Sequence, residues 1–284
     1  MASYVLTRMK FKVNRNCHLW KMWRFLLPSC YSSWEHLSKY SYWKSRYQKQ
    51  SADLSFDWFL RSEDILDFLI HSMGQCHHDK SKPLSYLDLG CGTSSLAGNI
   101  LTNSPTPVLL VLLDFVSEAL HYQKQYISTC TALIPESSCQ LVCADVMFLP
   151  FGDGCFNIAV DKGTMDALLK DKVNGHSKAQ VMMSEVRRVL APGGRFLQIS
   201  DEDPDTRLLF LEQLNKVNSS HVLTEQTTLD AQLLGDNCES FVGSTHCQTA
   251  RTLPVSKQLS SWSFKVIPTS WNKEYFILWS DNHH

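Results

Sequence analysis

Between residues 84 and 161 a short apolar run ends in an aspartate again and again: "LSYLD" (84–88), "VLLVLLD" (108–114), "CQLVCAD" (139–145) and "CFNIAVD" (155–161). Short apolar runs bounded by turn residues read as strands buried on both faces. Helical patterns separate them. Ser117 and Glu118 open one that runs to about Cys130, and Met182, Val186, Val189 and Leu190 mark one face of another at about 177–190. "APGG" (191–194) ends that helix, and "RFLQIS" (195–200) is a fifth strand. Strands alternating with helices require a parallel sheet, and right-handed crossovers make it doubly wound. The chain then closes differently. "WSFKVIP" (262–268) and "EYFILWS" (274–280) face each other across Thr269 to Asn272 with no helix between them, which predicts an antiparallel hairpin.

The first run breaks into "GCGTSS" (90–95), a strand, a glycine turn and a helix start. Such a corner lets backbone approach a nucleotide-like ligand. A dinucleotide fingerprint, G-x-G-x-x-G, fits Gly90 and Gly92 but meets Ser95 at its third glycine. Asp88, two residues before the first glycine, discriminates further. A carboxylate there repels a pyrophosphate and attracts a cation. S-adenosylmethionine carries a sulfonium and an ammonium and has no phosphate. In an open sheet the ligand lies across the carboxyl ends of the strands, where Asp88, Asp114, Asp145 and Asp161 stand. Asp114 follows Asp88 by 26 residues, near the spacing of an acid that accepts ribose hydroxyls. Asp145 is placed for an adenine amino group, with Val146 and Met147 against the ring. Each such acid also suits a helix cap.

Charge divides the chain. Residues 1–34 hold six Lys or Arg and no acid, which leaves 21 basic against 28 acidic residues, a net −7, in the remainder. A basic, acid-free arm with apolar residues reads as a mitochondrial presequence; a disordered basic arm touching nucleic acid or membrane is the alternative. The acidic remainder argues against a nucleic-acid substrate. No apolar run approaches a membrane span. The ten cysteines are scattered without a C-x-x-C pair, and Cys76-His77-His78 has no second cluster to complete a metal site. A reducing compartment and no structural metal follow. Residues 35–284 thus form one domain, and the polar, aperiodic stretch at about 216–261 reads as a long loop.

Three segments carry a resemblance. "DKGTMDAL" (161–168) stands where methylases of planar amide or base nitrogens carry Asn/Asp-Pro-Pro-Tyr/Phe. Together with "FDWF" (56–59) and "SDEDPDTRLLFLEQ" (200–213), it resembles the mitochondrial citrate synthase lysine methyltransferases, a family of seven-stranded S-adenosyl-L-methionine-dependent enzymes. The resemblance covers roughly residues 42–213, with a weaker echo in the final hairpin; the 216–261 segment is longer than the family's pattern. It implies a Rossmann-like class I methyltransferase sheet, mostly parallel with a C-terminal antiparallel hairpin. S-adenosyl-L-methionine would be the cofactor, citrate synthase the protein partner and the mitochondrial matrix the location.

On that reading Asp88, Gly90, Gly92, Thr93, Asp114, Phe115, Asp145, Val146 and Trp58 hold the cofactor. Asp161, then Asp166, orients the substrate amine; both also suit acids at a helix start. Asp201, Glu202 and Asp203 face a basic patch on the partner, or cap the helix that follows, with Asp203-Pro204 as N-cap and first residue. Phe59 guides the lysine or packs in the core. A methyltransferase of small molecules, such as a quinone precursor, and a non-catalytic cofactor-binding protein are the other function classes.

Overall fold

The computed structural model describes residues 34–49, 55–76, 79–220, 259–268 and 274–282. The basic arm at 1–33 and most of the 216–261 stretch, residues 221–258, lie outside them.

Seven strands form one sheet in the order β3-β2-β1-β4-β5-β7-β6. They are β1 (Leu84–Leu89), β2 (Val108–Asp114), β3 (Ser138–Cys143), β4 (Phe156–Lys162), β5 (Leu190–Ser200), β6 (Leu259–Pro268) and β7 (Glu274–Asn282). The first five pair in parallel, and β7 pairs antiparallel with both β5 and β6. The sequence-predicted sheet and hairpin are present. β5 is longer than expected, because Leu190 already pairs with Phe156 and the "APGG" stretch lies within the strand.

The helices are α1 (Tyr40–Lys49), α2 (Ser62–Gln75), α3 (Leu96–Asn103), α4 (Ser117–Ser128), the short α5 (Thr164–Leu168), α6 (Gly175–Val189) and α7 (Pro204–Ser220), with a 3-10 turn at Glu35–Ser38. Residues 216–220, expected in the loop, complete α7. Strand alternation sorts the core into two layers. Tyr86, Leu110, Leu112, Ile158, Val160 and Ile199 pack with α2 and α3 on one face. Leu87, Leu89, Leu113, Ala159 and Phe196 pack with α6 and α7 on the other. Strand order reverses between β1 and β4, and the crevice that this leaves at their carboxyl ends is where an open α/β sheet receives a ligand.

Candidate active site

The glycine turn sits at that crevice. Gly90 takes a φ of +72°, and a Cβ there would stand 2.1 Å from Thr164 Oγ1, so only glycine lets the α5 corner close on β1. Thr164 Oγ1 in turn donates to Leu89 O at 2.8 Å.

The turn floors a cavity of about 310 Å³. Asp88, Gly90, Gly92, Thr93, Asp114, Phe115, Asp145, Val146 and Trp58 all line it, so the sequence-predicted cofactor residues come together. Residues that the sequence reading did not single out complete it. Leu37, Tyr40, Trp43 and Tyr47, from the 3-10 turn and α1, roof the cavity, while Lys162 and Lys178 also reach it. The roof is an aromatic network: Trp43 packs on Tyr47 and on Trp58, and Tyr40 on Phe115.

Two carboxylates on the floor differ in their partners. Asp114 accepts the N–H of Gly92 and of Val116, each at 2.9 Å. Burial pushes its pKa up to about 6 against the pull of those N–H groups. Asp88 accepts no hydrogen bond from a described residue. Burial raises it to about 7, the Lys162 charge opposes that, and Asp114 and Asp161 add to it. Asp145 uses one oxygen to accept the Met147 N–H at 2.9 Å.

Lys162 is the hub beside the floor. Its ammonium donates to Asp57 Oδ1 at 3.0 Å and to Trp58 O at 3.1 Å, and its side chain is only 6% exposed. Asp57 also accepts from the Ser94 and Ser95 hydroxyls and from the N–H and hydroxyl of Ser62. Burial acts to raise the Asp57 carboxyl, but Lys162 and these donors together hold it below its usual range. "FDWF" and "DKGT" are therefore two halves of one joint, tying the segment before α2 to the end of β4. Next to it Phe59 holds a φ of +68°, a rare conformation for an aromatic residue. The indole of Trp58 packs so closely on Gly163 that a Cβ there would lie 2.5 Å from Trp58 Cδ1.

The remaining candidates lie elsewhere. Asp161 is fully buried but does not line the cavity. Its Oδ1 accepts the Thr164 N–H at 2.7 Å, and its Oδ2 accepts Gln198 Nε2 at 2.9 Å. It is the acid at the start of α5. Asp166 is buried against Arg207 and Ser200, also away from the cavity. Asp203 Oδ1 accepts the N–H groups of Asp205 and Thr206 and so caps α7. Asp201 is exposed and Glu202 half-buried at the same helix start. Phe59 packs edge-on against Trp58 and at a tilt against Tyr275 and does not line the cavity. Among the described residues no group of three His, Cys, Asp or Glu side chains could hold a metal ion, and no helix is long and apolar enough to cross a membrane.

The donor set fits S-adenosyl-L-methionine. Two buried floor carboxylates oppose a pyrophosphate and suit cationic groups and ribose hydroxyls. Trp58 Nε1 is a buried donor at the wall with no hydrogen-bond partner among the described residues. A family model described as a methyltransferase domain matches residues 80–265. The chain is 37% identical over 167 residues to the mitochondrial citrate synthase-lysine N-methyltransferase of Pongo abelii, which covers 56% of this chain and 68% of that one. It is 36% identical over 167 residues to the Homo sapiens protein of the same name, with the same coverage. To the EEF1A lysine methyltransferase 4 of Bos taurus it is 29% identical over 174 residues, 58% of this chain and 62% of that one. This chain belongs to the methyltransferase-domain family, as an S-adenosyl-L-methionine-dependent enzyme related to the protein-lysine methyltransferases typified by the citrate synthase-lysine N-methyltransferases.

Proposed function

We propose that this chain transfers methyl groups to a lysine of mitochondrial citrate synthase, and that it does so in the matrix. The observation that carries this reading is the 37% identity to a citrate synthase-lysine N-methyltransferase over more than half of the chain. The basic, acid-free residues 1–34 support the compartment as an import segment ahead of the 35–284 domain.

The cofactor supplies an electrophilic methyl group on a sulfonium. The chain's task is alignment and proximity for an in-line displacement. Asp88 and Asp114 hold the charged end and the ribose, while Asp145, Val146 and Phe115 frame the base. A lysine attacks only when neutral, and its reference pKa makes deprotonation near pH 7.4 cost roughly 4 kcal/mol. A dry aromatic wall lowers that cost by penalising the ammonium form. Trp43, Phe56 and Trp58 provide such a wall. Lys162 fixes it, because its bond to Trp58 O holds the indole segment in place. Asp161, engaged at the start of α5, has no part in this step.

The test is methylation of a folded acceptor. The full chain, a labelled methyl donor and folded citrate synthase are incubated together, and a mitochondrial extract is run in parallel. Label on a citrate synthase lysine, located by mass spectrometry, is the expected result. Label confined to the lipid fraction would replace this reading with a small-molecule acceptor.

A further inference from the structure

Behind the cavity wall lies a second buried polar cluster. The short helix α5 presents Thr164, Ala167 and Leu168 to the cavity and turns Met165 and Asp166 away from it. Asp166 Oδ1 accepts Arg207 Nη2 at 2.5 Å and the Ser200 hydroxyl at 2.7 Å. Ser200 Oγ accepts the Glu202 N–H at 3.0 Å, and the Arg207 N–H donates to Asp203 O at 2.9 Å. The cluster therefore joins the cavity wall to the start of α7, where the acidic stretch 201–205 meets solvent.

The pair is a poor stabiliser. Asp166 and Arg207 are 6% and 3% exposed, yet Asp166 Oδ2, Arg207 Nε and Arg207 Nη1 have no hydrogen-bond partner among the described residues. A buried ion pair offsets its desolvation only when its remaining donors and acceptors are met. Capping does not explain it either, since Asp203 already caps α7. What the pair does supply is a direct link between two elements whose bonded residues lie 41 positions apart.

We propose that Arg207, acting through Asp166, is a positioning residue for the methyl acceptor. It sets the α5 wall according to where the start of α7 lies. This rests on the protein-acceptor reading above: a basic protein surface engaging the acidic start of α7 acts on α7, and the pair carries that to Thr164, Ala167 and Leu168. A half-met cluster suits this role, because it holds α5 without locking it.

Two variants of the full chain test the proposal. Arg207→Lys keeps the charge but loses the planar fork. Asp166→Asn combined with Arg207→Met removes both charges, so that neither is left buried alone. Urea melts establish that each is folded. S-adenosylhomocysteine affinity by calorimetry is expected to stay within about threefold, because neither residue touches the cavity. Amide exchange of residues 164–168 is expected to quicken about tenfold while that of β4 is unchanged. With both substrates saturating, kcat for a lysine on a folded acceptor should fall about tenfold or more, with KM for the cofactor unaltered. Unchanged exchange in α5 would overturn the proposal, and so would full kcat in a variant whose α5 exchange has quickened. So would a loss of cofactor-product affinity in step with kcat, which would make the pair part of the cavity's general build. The exchange and calorimetry arms need no acceptor, so they decide the pair's role separately from the lysine reading.

Discussion

Two buried ion pairs, Lys162–Asp57 and Asp166–Arg207, lie toward opposite faces of the sheet and are built in opposite ways. Toward the cavity, Lys162 meets Asp57 and Trp58 O, and Asp57 accepts further bonds from Ser62, Ser94 and Ser95. Toward α6 and α7, Asp166 and Arg207 leave three polar atoms without partners among the described residues. The lesson concerns what burial of charge is used for. A fully bonded pair freezes a joint, here the segment that holds Trp58 at the cavity wall. A partly bonded pair links two elements and leaves them some freedom.

That contrast can be broken most directly at Asp57. Asp57→Ala leaves the Lys162 ammonium buried without its carboxylate, and a broken buried pair costs about 3–5 kcal/mol. Chemical denaturation should show a loss of that size, and adding Lys162→Met should restore much of it. A small loss in the single variant would mean that the joint is not frozen.

A smaller effect sharpens the comparison through pH. Burial acts to raise both carboxyls; at Asp88 it wins over the Lys162 charge, whereas at Asp57 Lys162 and the hydroxyl and N–H donors outweigh it, so the two shift in opposite directions. The folded pKa of Asp88, about 7, lies above its unfolded value. Its contribution to stability is therefore fully present below about pH 4 and is lost as pH rises toward and through 7. Binding a cation needs the ionised form. Affinity for S-adenosyl-L-methionine should thus climb below pH 7 by at most about tenfold per pH unit, with proton release. Calorimetry at pH 6 in buffers of differing ionisation enthalpy measures that release. Asp88→Asn should abolish it, and release persisting in that variant would assign the proton elsewhere, with Asp114 next.

The smallest effect is expected on the other face. In Asp161→Asn the new amide oxygen can accept from Thr164 and Met165 while its NH₂ turns to Gln198. Gln198 Oε1 is buried without a partner, so a flip of that amide supplies the acceptor. Stability should change by less than about 1 kcal/mol and turnover by no more than a few-fold. A hundredfold loss of turnover in a folded variant would return Asp161 to the reaction and erase the distinction between the faces.

Strand alternation also explains what was legible in the sequence. Apolar runs ending in acids, and glycines after the first of them, specify the sheet and the floor of the site, because both depend on local pattern. The same period of two separates Asp88 from Asp161. Asp88 pairs in register with Val160, whereas Asp161 pairs with Leu89, so the two carboxylates leave opposite faces. Lys162 follows Val160 by two positions and shares the face of Asp88. Reading "DKGT" by parity places Lys162, and not Asp161, on the face of Asp88. The roof was not legible in this way. Leu37, Tyr40, Trp43 and Tyr47 belong to an aromatic-rich stretch whose place over the crevice is set by packing on Phe115 and Trp58, contacts distant in sequence. The Asp57–Lys162 joint spans 105 residues and leaves no local trace.

The strand order has a consequence in time as well as in space. β7 lies between β5 and β6, and Arg195 on β5 is sealed to Asp281 by an ion pair at 2.6 Å across 86 residues of chain. Until residues 274–282 exist and fold back, the outer edge of β5 presents a row of unpaired backbone groups. Contacts this far apart in sequence close slowly. A chain still being synthesised, or one cut anywhere before β7, carries an open strand edge on which a second copy can add itself. The last strand is thus the element that covers the β5 edge and moves the rim of the sheet out to β6.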